Sequence, residues 1–85
     1  MESQLIVVRV RYDVEAAVWF IQGSDLPGLA AEAATIEALS ERLPGLITDL
    51  IEENGLGPEG NKNITELVIE IIASRQARVH LRPAA

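Results

Sequence analysis

Eighty-five residues, 48% hydrophobic and 24% charged, set the scale of a single small globular domain, 1–85, rather than a disordered chain. The absence of cysteine excludes disulfides, thiolate nucleophiles and cysteine-based zinc sites, and makes a reducing cytoplasm the default compartment. Thirteen acidic against seven basic residues leave a net charge of −6, which argues against direct nucleic-acid binding and suits a basic protein partner.

A chain of this length buries only about 60% of the surface its unfolded form exposes, so support from a second chain fits its size. No apolar run approaches the twenty or so residues that a membrane span requires. The start is also unlike a secretory signal, because Glu2 stands where positive charges are usual and Arg9 and Arg11 interrupt the first apolar stretch.

The first element is read from alternation. Ile6, Val8, Val10 and Tyr12 share one face at strand spacing, while Leu5, Val7, Arg9 and Arg11 share the other. Asp13, Val14 and Glu15 interrupt this strand, and Val18, Trp19, Phe20 and Ile21 resume the β pattern, which predicts a hairpin. Next, Leu26, Pro27, Gly28 and Leu29 predict a type II turn, since proline presets φ at its second position and glycine accepts positive φ at its third. Residues 29–33 are then expected to form a short third strand.

Thr35 is suited to cap a helix, with Glu37 in the first turn where the helix dipole favours negative charge. Ile36, Leu39, Leu43, Leu46, Ile47, Leu50 and Ile51 follow at intervals of three and four, forming one amphipathic stripe. Pro44 inside this stripe predicts a kink or one-turn break within one helical unit. Asn54 and Gly55 supply a left-handed cap, and residues 56–63 are expected to be a loop. Alternation then returns: Leu67, Ile69, Ile71, Ala73, Ala77, Val79 and Leu81 lie on one side of a run that would span about 50 Å as one strand. Either the strand breaks near Ser74 and Arg75, or residues 74–85 form an extended strand or arm that pairs with another chain.

These elements predict an α+β fold: a three-stranded antiparallel meander, one helix on one face, and a fourth strand returning parallel beside the first, in the order 3-2-1-4. Leu5, Val7, Val68 and Ile72 would lie on the face the helix leaves open. Together with Val79 and Leu81 they are the candidates for self-association, which makes a homo-oligomer the expected state.

The run Tyr12-Asp13-Val14-Glu15-Ala16, the pair Val18-Trp19, the turn Ser24-Asp25-Leu26-Pro27-Gly28-Leu29 and the segment Glu32-Ala33-Ala34-Thr35-Ile36-Glu37-Ala38-Leu39 together resemble the N-terminal domain of HicB-family antitoxins, in their short form. The resemblance implies a truncated ribonuclease H-like sheet in a bacterial toxin-antitoxin system. It also implies a partner: a small basic toxin, encoded adjacently, which in the HicA case is an mRNA-cleaving ribonuclease. Full-length HicB proteins usually add a C-terminal DNA-binding domain, and residues 75–82 carry strand alternation instead of a recognition helix.

Three functions compete. The first is an antitoxin-like module that neutralises its toxin by occlusion, with Trp19 as an aromatic anchor and Glu37, Glu41, Asp49, Glu52 and Glu53 as the acidic surface. Trp19 and Phe20 are consecutive, so one of them faces the core and the other faces out. The second is a self-associating structural domain with no toxin partner. The third is a metal-dependent nuclease using Asp13, Glu32, Glu66 and Glu70, set aside because Asp13 lies in a turn and Glu66 and Glu70 alternate with Val68 as a solvated face. His80 is the only histidine, which leaves no in-chain Ser-His-Asp or two-histidine site. No enzyme activity, cofactor or metal is expected.

Overall fold

The computed structural model describes residues 2–54 and 64–83. The order of elements is β1 (Glu2–Asp13), β2 (Val18–Ser24), β3 (Glu32–Ala33), α1 (Ile36–Asn54) and β4 (Ile64–Ser74). The cap expected after Asn54 and the loop that follows it lie outside the described residues.

The strands form one sheet in the order β3-β2-β1-β4. β1 is central, antiparallel to β2 on one side and parallel to β4 on the other. This corrects the fold class expected from the sequence. The sheet is mixed, and its antiparallel part is not a simple three-stranded meander belonging to a truncated ribonuclease H-like sheet. The third strand shrinks to Glu32 and Ala33, paired with Phe20 and Trp19. Alanine has weak β propensity, and Leu29 is drawn into the core instead of continuing a ladder.

The inner face of β1 explains why the domain closes. Ile6, Val8 and Val10 are at most 1% exposed, and Leu39, Leu43 and Ile47 of α1 meet them at the same burial. Burying each such side chain contributes roughly 1.5–3 kcal/mol relative to leaving it in water. Leu26 and Leu29 close one end of this core, while Leu67, Ile69 and Ile71 of β4 pack against it.

Local chemistry fixes the connections. In the hairpin, Asp13 Oδ1 accepts hydrogen bonds from the backbone N–H of Glu15 (3.0 Å) and Ala16 (3.2 Å), and Ala17 adopts a φ of 56°. An L-residue there carries strain that glycine lacks, partly offset by the extra freedom glycine has when unfolded. Ala17→Gly is therefore expected to stabilise the protein by about 0.5 kcal/mol, a rise of about 3 °C in Tm by calorimetry. A lower Tm would contradict that account of the turn.

Gly28 has a φ of 85°, the value a type II turn demands at its third residue. Thr35 Oγ1 accepts from the N–H of Ala38 at 3.0 Å, the N-cap geometry its position suggested. α1 runs without interruption through Pro44, anchored on either side by buried Leu43 and Ile47. The break allowed for at that proline is absent. Arg42 Nη1 donates to the carbonyl of Glu32 at 2.7 Å and ties the helix to β3.

Candidate functional site

The acidic residues of α1 gather on the side that the core does not use. At 100° per residue, Glu37, Glu41, Asp49, Glu52 and Glu53 fall within an arc of about 160°, roughly opposite Leu39, Leu43 and Ile47. All five are exposed. Arg42 is the one basic residue of the helix, and its guanidinium is engaged by the Glu32 carbonyl.

Trp19 is half-buried and lies opposite Tyr12 on the helix side of the sheet, with ring centroids 5.2 Å apart and planes inclined at 59°. It packs against the core. Phe20 therefore takes the outer face, where it pairs with Arg11 of β1. There it helps line a shallow open hollow of about 330 Å³ with Arg11, Tyr12, Asp13, Val14, Glu15 and Gln76. Alternation showed that the two aromatics must diverge, but only the pairing register says which one goes in. The turn at 14–17 sets that register by closing on the pair Asp13 and Val18, and a bulge between Arg9 and Val10 follows further along, where β2 carries the extra residue Gln22.

The apolar candidates occupy two places. Leu5 and Val68 are paired neighbours on the open face, 50% and 46% exposed, and Ile72, 46% exposed, lies beside Arg9. Val7 is half-buried between them, its N–H donating to Asp25 Oδ2 at 2.9 Å while its carbonyl accepts from the Asp25 N–H at 3.1 Å. Sequence reasoning missed this clasp, which carries the ladder one step past the end of β2. Val79 and Leu81 lie elsewhere, on a C-terminal arm of residues 75–83 that is exposed throughout, and are themselves 79% and 85% exposed.

The arm gives the molecule its length. Overall extents are 65 × 21 × 18 Å and the radius of gyration is 16.8 Å, against about 12 Å for a compact chain of this size. At the root of the arm, the Arg75 guanidinium stacks 4.2 Å above the centre of the Tyr12 ring, a cation–π contact that fixes where the arm leaves the sheet. Arg75, Arg78 and Arg82 give the arm a charge of +3 with His80 neutral, which leaves −9 on the rest of the chain.

The carboxylates considered for metal chemistry are not assembled. Asp13 spends one oxygen on the hairpin turn, and among the described residues no three His, Cys, Asp or Glu side chains are grouped to hold a metal ion. No described helix is long and apolar enough to cross a membrane.

The geometry defines a small α+β module with an acidic helix face, a half-apolar open sheet face and a basic arm. By sequence, the chain belongs to the family described as Domain of unknown function (DUF1902), whose profile matches residues 5–82. A similar solved structure is the hypothetical protein TTHA1013 from the extremely thermophilic bacterium Thermus thermophilus, at 32% identity and a TM-score of 0.59. That match covers 91% of this chain and 99% of the other. A comparison with curated proteins finds no match.

Proposed function

We propose that this protein is an antitoxin-like binding module, akin to short HicB antitoxins, that neutralises a small basic toxin by covering its working surface. The carrying observation is the acidic arc of α1: five exposed carboxylates on one helix face, with the helix's single arginine turned to a backbone carbonyl. Such a face raises the encounter rate with a basic surface and disfavours acidic or nucleic-acid ligands. Occlusion asks for no bond-making chemistry, so a rigid acidic wall is sufficient.

The test is co-expression of the full chain with the small basic proteins encoded beside it. A complex is expected that forms in low salt, dissociates in high salt, and is lost in the variant carrying E37Q, E41Q, D49N, E52Q and E53Q together. The variant's helix and core are expected to be intact by circular dichroism, because all five side chains are exposed. No complex in low salt, or one indifferent to the five neutralisations, would overturn the proposal.

A further inference from the structure

Among the described residues, β4 has a hydrogen-bonded neighbour on one side only, so its outer edge offers backbone groups from Ile64 to Ser74 to a further strand. An exposed edge of this length is a template for another strand. The chain itself carries a segment of matching character in residues 75–83, which are exposed throughout.

We propose that the β4 edge receives the C-terminal arm of a second copy of this chain, and that the exchange is reciprocal about a two-fold axis at Ser74. In an antiparallel pairing centred there, each residue lies opposite one whose number brings the pair to 148. Arg78 then faces Glu70 of the second copy, and Arg82 faces its Glu66. Both glutamates are exposed on the outer face of β4, where opposite charges across a ladder attract. On the inner face, Ala77, Val79 and Leu81 fall opposite Ile71, Ile69 and Leu67, the side chains by which β4 already meets the core.

The register is selective. Shifting it by two residues either way places Arg78 opposite Val68 or Ile72 and breaks both charge pairs. Shifting it by one sets the apolar side of the arm against the charged side of β4, because side chains alternate between faces. The same pairing supplies neighbours for Val79 and Leu81, and gives the +3 arm an acidic partner. A two-fold contact of this kind is isologous: each arm is both donor and recipient. It uses the sheet edge and leaves the acidic face of α1 free, so it stands independently of toxin binding.

The absence of native cysteine allows a direct test. In the stated register Ser74 lies opposite its own copy, about 4.5–5.5 Å away between Cα atoms, within reach of a disulfide. Gln76 is displaced from its own copy by four residues, about 14 Å, and is out of reach. Both residues are exposed, so neither substitution strains the fold. Under mild oxidation, full-length Ser74→Cys is expected to become a covalent dimer of about twice 9.2 kDa, while Gln76→Cys remains non-covalent. By light scattering, R78E with R82E is expected to weaken the dimer at least tenfold, and adding E66R and E70R to restore it. A Ser74→Cys protein that stays monomeric, a Gln76→Cys protein that cross-links as readily, or a dimer indifferent to the charge reversals would each overturn the proposal.

Discussion

Leu43→Ala is expected to lower the unfolding free energy by about 3 kcal/mol, read from urea denaturation as a lower midpoint with an unchanged slope. Leu43 is 0% exposed, halfway along α1, against the inner face of β1. Removing its branched end forfeits transfer free energy and leaves a cavity that Ile47 and Val8 are poorly placed to fill, since both are already fully packed. In a small domain whose total stability is of order 5–10 kcal/mol, such a loss is a large fraction of the whole. A cost below about 1 kcal/mol would show that the helix does not close the core as described.

Gly28→Val is expected to cost about 2 kcal/mol or more, and Gly28→Ala about half as much. The cause is backbone conformation and not crowding. A Cβ at this position would lie 3.7 Å from Leu50 Cδ2, an ordinary contact, whereas the φ of 85° is one that a β-branched residue resists. The turn also sets Leu26 and Leu29, 4% and 9% exposed, into the core on either side of it, so a distorted turn unseats two core side chains. Chemical denaturation of the three proteins is expected to rank them glycine, alanine, valine in falling stability. Equal stability of the alanine and valine variants would contradict a cost that arises from φ.

What could be read from the sequence was what local chemistry decides. The faces of β1, the hairpin, the Pro27–Gly28 turn and the Thr35 cap each depend on residues within a few positions of one another. β4 beside β1 followed from handedness and the position of the helix. The meander did not survive, because whether Leu29 continues a strand or plugs the core depends on space that only the folded domain defines. The inward turn of Trp19 and outward turn of Phe20 depend on the pairing of Tyr12 with Trp19 across the hairpin, which alternation within either strand does not announce. Among the site residues, the exposed carboxylates of α1 were legible from helical spacing. The proposed match of Arg78 and Arg82 to Glu70 and Glu66 was not, because the sequence offered a break near Ser74 and Arg75 only as one of two alternatives, and a register needs that end fixed at one residue.

Salt gives a further discriminating test, since the two proposed contacts differ in how they use charge. Binding to a basic partner through five exposed carboxylates is expected to weaken steeply as ionic strength rises. Arm exchange also buries Val79 and Leu81 and adds backbone hydrogen bonds, so its salt dependence is expected to be shallower. Light scattering across a salt series separates them: a dimer that persists where the complex dissociates fits both proposals.

The most direct measurement of the central claim is a stoichiometric titration of the proposed partner toxin's activity with this protein in low salt. Masking by an acidic surface predicts a linear fall that reaches completion at one binding surface per toxin molecule and recovers fully when salt is raised. Inactivation by far less than stoichiometric amounts, or loss of activity that persists after the complex is dissociated, would contradict it.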